Sequence, residues 1–237
     1  MKYTTILFDA DGTLLDFHRS EREAVAEAFS ILGVHTNDEM LDEYSRINDL
    51  MWKKLERGEI EKSVLLYHRF EVFFEKYGIV ADAKQMAKEY VGTLSKRAYL
   101  IDGAKDLCRS LYGKAKMYIV TNGVRKNQES RLSLCGLLPY FDGVFISECT
   151  GYEKPQVEFF DYVAEHIPGF SKDRAVIVGD SLSSDIKGGI NYGIDTCWFS
   201  QGGKAAPPDM AEKITCTVSD YDGMYKFLTE EAPEYEK

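Results

Sequence analysis

The stretch TTILFDADGT, residues 4–13, determines how the rest of the chain is interpreted. Its large apolar residues run directly into two aspartates, Asp9 and Asp11, and then into Gly12. A short uninterrupted apolar run that ends in turn residues is typical of a strand buried on both faces. In open parallel α/β sheets ligands bind just beyond the carboxyl ends of the strands. The two aspartates are therefore expected at a binding site.

The close spacing of these aspartates predicts a bound cation. Two carboxylates at one buried strand end repel each other, and a positive ion would neutralise them. Ligation by oxygen alone favours magnesium. The alternative is an ordinary solvated turn, since Asp and Gly are common turn residues. The motif by itself leaves both interpretations open, so the rest of the chain has to distinguish them.

The composition is that of a folded protein with more acidic than basic residues. Of 237 residues, 44% are hydrophobic and 29% are charged, and the net charge is -10. This charge argues against a nucleic-acid polymer or an anionic membrane as partner. The five scattered cysteines include no CxxC pair, which indicates reduced thiols. With no signal peptide and no membrane-length segment, we expect a cytoplasmic protein. It is expected to be a monomer or homodimer.

The region after the first motif has a helical pattern with no strand in it. Apolar stripes predict a first helix with Ser20 and Glu23 as its capping box, followed by helices at 38–57, 62–77 and 82–94. The aromatic stripe at Phe70, Phe73 and Phe74 is expected to form a bundle core. Four successive helices predict a small helical domain, residues 16–97.

Strands and helices alternate in the remainder of the chain. Apolar runs predict strands at 117–120, 143–147, 175–180, 196–199 and 214–218, and a helix is predicted at 184–191 between two of them. Repeated strand–helix units predict a doubly wound parallel sheet, so the fold class is α/β. The predicted core comprises residues 1–15 and 98–237, and the helical domain is an insertion in it. The last five residues, PEYEK, are expected to fray.

Polar residues follow several of these strands at the point where each one ends. They are Thr121, Asn122, Gly123, Lys154, Asp180 and Asp185. The carboxyl ends of parallel strands meet at one edge of a sheet, so we expect these residues to converge with Asp9 and Asp11. Acids, a hydroxyl, backbone amides and an ammonium group together suit phosphoryl transfer through a carboxylate.

The aspartates are assigned distinct roles in that chemistry. Asp9 attacks phosphorus and forms an aspartyl phosphate. Asp11 protonates the leaving oxygen and then takes a proton from the hydrolytic water. Asp180, with Asp9 and a backbone carbonyl, is expected to hold magnesium. Asp185 is expected to orient the metal's waters or Lys154.

The phosphoryl oxygens are expected to meet neutral and positive donors. Thr121 and the amides of Asn122 and Gly123 would donate hydrogen bonds, and Lys154 would supply a point charge. Taken singly, Lys154 could be a solvated surface lysine, Thr121 a turn residue and Asp180 a helix N-cap. No single structural explanation accounts for the whole set.

Four short motifs carry a resemblance to a known family. They are DADGT at 9–13, TNG at 121–123, the lysine of EKP at 153–155 and GDSLSSD at 179–185. They resemble the four motifs of haloacid dehalogenase superfamily phosphatases. The resemblance implies a Rossmann-like core with strand order 5-4-1-2-3, a helical C1-type cap, and a magnesium ion that also binds the backbone carbonyl of Asp11. The presence of Asp11 favours phosphate esters over halides, because the dehalogenase branch lacks this second aspartate.

Longer strings resemble one branch of that superfamily. WKKLERGEI at 52–60, RLSLCGLLPYFD at 131–142, ISECTGYEKP at 146–155 and SDIKGGINYGIDTCW at 184–198 are similar to pyrimidine 5'-nucleotidases. This resemblance implies a pyrimidine nucleoside monophosphate as substrate. Phe17, His18 and Trp52 are the candidate substrate contacts in the cap, although bundle packing explains Trp52 better.

Two other functions stay open at this point. One is a phosphatase or phosphomutase for small sugar or acid phosphates such as phosphoglycolate, because the same core and cap type host those activities. The other is a binding or regulatory protein without turnover. Such proteins usually lose the nucleophile or the second acid, and both Asp9 and Asp11 are present.

Overall fold

A computed structural model describes residues 1–229, so the fraying expected of the PEYEK segment lies outside the described residues. The strands are β1 (Thr5–Phe8), β2 (Lys116–Thr121), β3 (Gly143–Ile146), β4 (Ala175–Gly179), β5 (Asp195–Phe199) and β6 (Cys216–Val218). The helices are α1 (Phe17–Ile31), α2 (Asp38–Glu56), α3 (Lys62–Tyr77), α4 (Ala83–Leu94), α5 (Ala104–Leu111), α6 (Arg125–Cys135), α7 (Ser147–Thr150), α8 (Val157–Glu165), α9 (Lys187–Tyr192), α10 (Pro208–Ala211) and α11 (Tyr221–Thr229). Short 3-10 helices span Leu138–Tyr140 and Lys172–Arg174, and a π-helix spans Leu182–Ile186.

The six strands form one parallel sheet in the order β3-β2-β1-β4-β5-β6. This order confirms the predicted doubly wound α/β fold, with β6 added beside β5. Strand β1 is paired on both sides, and its apolar residues Ile6, Leu7 and Phe8 are fully buried. The residue that follows β1 therefore lies between the ends of β2 and β4.

The chain divides into two compact units. One comprises residues 1–15, 100–125 and 136–229, and the other comprises residues 16–99 and 126–135. The division expected from sequence placed residues 126–135 in the core and stays a prediction. Their grouping with the helices has a visible cause within that unit. Ser130 Oγ donates to Ser95 O at 2.8 Å, and a second side chain of α6 also bonds the backbone that follows α4.

The helical unit has an aromatic core, as the stripe in α3 predicts. Phe29 and Phe73 lie 4.9 Å apart between ring centroids, and Tyr44 stacks on Phe70 at 5.1 Å. These rings and Phe74 are buried, which confirms their packing role. No helix among residues 1–229 combines the length and the apolar character that crossing a membrane requires.

The start of α1 differs from the prediction. Asp16 is its N-cap, because the Asp16 carboxylate accepts from the backbone N of Arg19 at 3.0 Å. Ser20 lies inside the helix, where its hydroxyl donates to Asp16 O at 2.7 Å. The predicted capping box of Ser20 and Glu23 is therefore wrong. An aspartate four residues earlier binds the free amide of the first turn instead.

Two helical glycines provide a matched test of packing. A Cβ on Gly189, in α9, would lie 2.5 Å from Ile177 Cγ2 and 2.7 Å from Thr196 Cγ2, so Gly189→Ala should lower the free energy of unfolding by about 1–3 kcal/mol. A Cβ on Gly92, in α4, would have no described heavy atom within 4 Å apart from its own neighbourhood in the helix. Gly92→Ala should therefore raise the same quantity by about 0.5–1 kcal/mol through helix propensity. Urea denaturation measures both, and equal effects would contradict the tight packing of α9.

Candidate active site

Asp9 lies at the carboxyl end of the central strand. It directly follows β1, and its backbone N donates to Val178 O at 2.8 Å, which ties it to the end of β4. Its side chain is buried, and Oδ1 accepts a hydrogen bond from Lys154 Nζ at 2.6 Å. The structure thus brings together two predicted site residues that are 145 positions apart in the sequence.

Lys154 is surrounded by three acceptors. Its Nζ lies 2.6 Å from Asp9 Oδ1, 2.6 Å from Asp185 Oδ1 and 2.7 Å from Val120 O. The side chain is 1% exposed, so it is not a solvated surface lysine. Burial lowers the pKa of Lys154, but Asp185 and Asp9 together raise it more, and the net pKa is above its usual value. The buried ammonium group is therefore charged.

The turn after β4 directs Asp185 back toward the strand ends. Residues Leu182–Ile186 form a π-helix where the sequence predicted an α-helix from Ser184. Asp185 Oδ2 accepts from Ser181 N at 3.1 Å while its Oδ1 accepts from Lys154. The placement matches the expected contact with Lys154. Single π-turns occur frequently at functional sites.

Two glycines leave room for the acids. Gly12 has a φ of 81°, and a Cβ there would overlap the Asp180 carboxylate. A Cβ on Gly179 would overlap the Asp185 carboxylate. Both positions require glycine because the acids approach the backbone too closely for a side chain.

The neighbouring acids shift one another's pKa. Burial is the largest effect on Asp9 and raises its pKa; Lys154 opposes this, while Asp185 and Asp180 raise it again, and the net pKa is well above the usual value. Desolvation and the nearby Asp185 raise the pKa of Asp180 to about 7. One ammonium group therefore does not balance the negative charge of this cluster.

The same cluster fits a divalent cation. Asp9, Asp180 and Asp185 each offer a carboxylate oxygen, and the three oxygens lie within 4.8 Å of one another. Hard oxygen donors with surplus negative charge suit magnesium. The sequence assigned Asp9 and Asp180 to the metal, and both are in the cluster. For Asp11 it assigned the backbone carbonyl, which is outside this carboxylate set.

The loop after β2 has a feature that sequence reasoning missed. Gly123 N donates to Thr121 Oγ1 at 3.0 Å, which closes the predicted turn. The side chain of Asn122 bonds the backbone of Lys154 twice, with Nδ2 donating to O at 2.7 Å and Oδ1 accepting from N at 2.9 Å. For Asn122 the sequence predicted a role only for the backbone amide. A side-chain partner 32 positions away carries no local signal.

The three candidate substrate contacts belong to the helical unit. Phe17 lies 5.6 Å from the Arg131 guanidinium, measured to the ring centroid. Trp52 packs against the helical core, with Lys62 Nζ 5.9 Å from its ring, which agrees with the packing interpretation. His18 is exposed. A contact between these residues and substrate stays a prediction.

Comparison with known proteins gives concordant matches. A family model described as haloacid dehalogenase-like hydrolase matches residues 3–193. The chain is 39% identical over 201 residues to the pyrimidine 5'-nucleotidase PynA of Streptococcus pneumoniae, which covers 84% of this chain and 85% of that one. It is 32% identical over 228 residues to the pyrimidine 5'-nucleotidase YjjG of Escherichia coli, which covers 96% and 99%. A crystal structure of the HAD-hydrolase YfnB of Bacillus subtilis, bound to magnesium, has a TM-score of 0.91 at 37% identity and covers 97% of this chain and 100% of that one.

The buried ion pairs predict a large effect of Lys154→Met. This variant leaves Asp9 and Asp185 without their counter-charge, so the free energy of unfolding should fall by about 3–5 kcal/mol near neutral pH. The loss should be smaller in mild acid, because Lys154 lowers the pKa of Asp9, so its removal raises that pKa further and proton uptake by Asp9 then favours the native state of the variant. Urea denaturation across this pH range measures the effect.

The control for this variant is Arg109→Met. Arg109 and Asp106 form an exposed pair at 2.8 Å, with side chains 70% and 72% exposed. Its loss should change stability by no more than about 0.5 kcal/mol. Equal losses in the two variants, or a loss in Lys154→Met that does not vary with pH, would contradict the electrostatic account.

Proposed function

This chain belongs to the haloacid dehalogenase-like hydrolases, and we propose that it is a magnesium-dependent nucleoside 5'-monophosphate phosphatase that prefers pyrimidines. Family and relatives make it a phosphomonoester hydrolase. The observation that carries the proposal is the buried contact of Lys154 with Asp9, beside Asp180, at the end of the central strand. Two relatives named as pyrimidine 5'-nucleotidases support the nucleotide substrate.

Asp9 is the proposed nucleophile. A carboxylate oxygen of Asp9 forms a bond to phosphorus while the bond from phosphorus to the leaving oxygen breaks, which gives an aspartyl phosphate. This step requires an ionised Asp9, although burial raises its pKa. The ammonium of Lys154, 2.6 Å away, favours the ionised form.

Asp11 is the proposed general acid and base. It follows the nucleophile by two residues, in a turn where Gly12 N donates to Leu15 O at 2.9 Å. Asp11 donates a proton to the leaving nucleoside oxygen, and the resulting carboxylate then takes a proton from water. That water attacks phosphorus, releases inorganic phosphate and restores Asp9.

The remaining residues bind and orient. Asp9, Asp180 and the backbone carbonyl of Asp11 would hold magnesium, which when bound offsets the charge of the transferring phosphoryl group. Asp185 fixes the position of Lys154 through the 2.6 Å contact. The side chain of Thr121, with the amides of Asn122 and Gly123, would donate hydrogen bonds to the phosphoryl oxygens, and the Gly123 amide would then share or give up its bond to Thr121 Oγ1. The leaving nucleoside would meet Phe17, His18 and Trp52.

A substrate panel tests this proposal. In the presence of magnesium, kcat/KM should be higher for UMP, dUMP and dTMP than for purine monophosphates, phosphoglycolate or a hexose phosphate. Higher values for phosphoglycolate or a hexose phosphate would contradict the nucleotide assignment. No hydrolysis of any phosphate ester, including a generic aryl phosphate, would contradict the assignment as a phosphatase.

The matched variant in the same panel is Asp9→Asn. An amide cannot replace the carboxylate as nucleophile, so turnover should fall below detection while the circular dichroism spectrum is unchanged. Asp106→Asn serves as the control, since Asp106 is exposed and pairs with Arg109 on the surface. Near wild-type rates in Asp9→Asn would contradict the nucleophile assignment.

The pKa of Asp180 predicts how magnesium binding depends on pH. Without metal this pKa is about 7, so protons compete with the cation for the carboxylate in mild acid. Magnesium should therefore raise Tm more at about pH 8 than at about pH 5.5. In the metal-free protein the raised pKa of Asp180 affects stability in the opposite direction. The contribution of this group to the free energy of unfolding falls as pH rises through about 7. Equal Tm shifts at the two pH values, or an unchanged difference in Asp180→Asn, would contradict this account.

A further inference from the structure

Three side chains late in the sequence donate hydrogen bonds to backbone carbonyls of the two loops that carry Asp11 and Asp180. The three bonds are Gln201 Nε2 to Gly12 O at 2.8 Å, Tyr221 Oη to Thr13 O at 2.8 Å and Trp198 Nε1 to Asp180 O at 2.9 Å. Donors and acceptors belong to the same compact unit. All three donors lie beyond residue 193, where the family model's match ends.

Two of these bonds reach the turn that carries Asp11. Several amides of the turn are bonded within it. Its carbonyls at Gly12 and Thr13 accept from Gln201 and Tyr221. Asp11 immediately precedes this pair of carbonyls, so fixing them limits the movement of its backbone.

The ring of Tyr221 is held in place on two sides. It stacks on Phe199 with centroids 5.1 Å apart and an interplanar angle of 28°. A Cβ on Gly103, which has a φ of 90°, would lie 3.1 Å from Tyr221 Cδ2, so glycine leaves space for the ring. Burial raises the pKa of the Tyr221 hydroxyl, which therefore stays protonated and able to donate.

The third bond connects the Asp180 loop to the same arrangement. Trp198, in β5, bonds the carbonyl of Asp180, while Thr13 Oγ1 donates to Asp180 Oδ1 at 3.4 Å. The two loops are therefore held from the side of β5 and α11 and also contact each other.

We propose that these three donors are positioning residues for phosphoryl transfer: they hold the two loops so that Asp11 and Asp180 face Asp9. The inference rests on the proposed function, since it concerns the acids assigned there. A purely structural role would lower stability and leave the turnover of the folded protein unchanged. A positioning role lowers kcat in protein that is still fully folded.

The sharpest test is Tyr221→Phe, which removes one hydroxyl and keeps the stacked ring. We expect kcat with a hydrolysed nucleotide to fall about three- to tenfold, as for loss of one hydrogen bond in the reacting state. KM should stay within about twofold of the wild-type value, because Asp11, which this loop carries, exchanges protons with the leaving oxygen and with water. The matched control is Tyr225→Phe on the same helix, whose hydroxyl accepts from Lys114 Nζ at 3.0 Å. Its kcat should equal that of wild type.

A second measurement does not depend on activity. Hydrogen–deuterium exchange of the amides in residues 10–15, without metal or substrate, should be faster in Tyr221→Phe than in wild type or Tyr225→Phe. Adding Gln201→Leu should change exchange and kcat less than additively, because the two bonds hold neighbouring carbonyls. The destabilised Gly189→Ala protein controls for stability and should keep wild-type kcat under folding conditions.

The outcomes separate this inference from the proposed function. If wild type hydrolyses nucleotides but Tyr221→Phe matches it in kcat and in exchange at residues 10–15, the inference is wrong and the function stands. A kcat loss in Gly189→Ala equal to that in Tyr221→Phe would also overturn it. If wild type hydrolyses no phosphate ester, the proposed function fails, and with it the catalytic role of these donors.

Discussion

The ammonium group of Lys154 is the interaction on which the candidate site depends. It lies 2.6 Å from each of two buried carboxylates, those of Asp9 and Asp185. Burying acids without a counter-charge costs several kcal/mol for each, so the strand end could not hold them unpaired. The pairing is incomplete, as the raised pKa of Asp180 indicates. This surplus negative charge suits a divalent cation, and with the proposed magnesium bound a phosphate ester could approach without net repulsion.

The strand order of the sheet explains how a few residues from distant parts of the sequence can form the candidate site. Strand β1 lies between β2 and β4, and the chain winds outward from it in both directions. Ligand sites in such sheets form where the winding direction changes, beyond the carboxyl ends of the strands. Asp9 follows β1, Thr121 ends β2 and Asp180 follows β4. The topology therefore brings together groups that lie far apart in the sequence, and it needs no long loop to do so.

The strand ends could be predicted because their signals are local. An apolar run followed by an acid identifies both the strand and the residue at its end, and parallel topology then implies convergence. The predictions failed where a distant or competing partner decides the outcome. Asp16 replaced the expected Ser20–Glu23 capping box. The π-turn that directs Asp185 likewise depends on contacts that a periodic pattern does not contain.

The proposed positioning donors Trp198, Gln201 and Tyr221 are a further case in which a distant contact has no local sequence signal. The acids are recognisable from motifs because their residue type is the reactive group. A hydrogen bond to a backbone carbonyl can come from many side chains, so its donor has no fixed residue type and no motif. In the proposed mechanism general acid catalysis nevertheless depends on the reach of Asp11, and small displacements of a reacting group lower the rate steeply. The residues that set this reach can therefore lie outside every recognisable motif, in the part of the chain beyond residue 193.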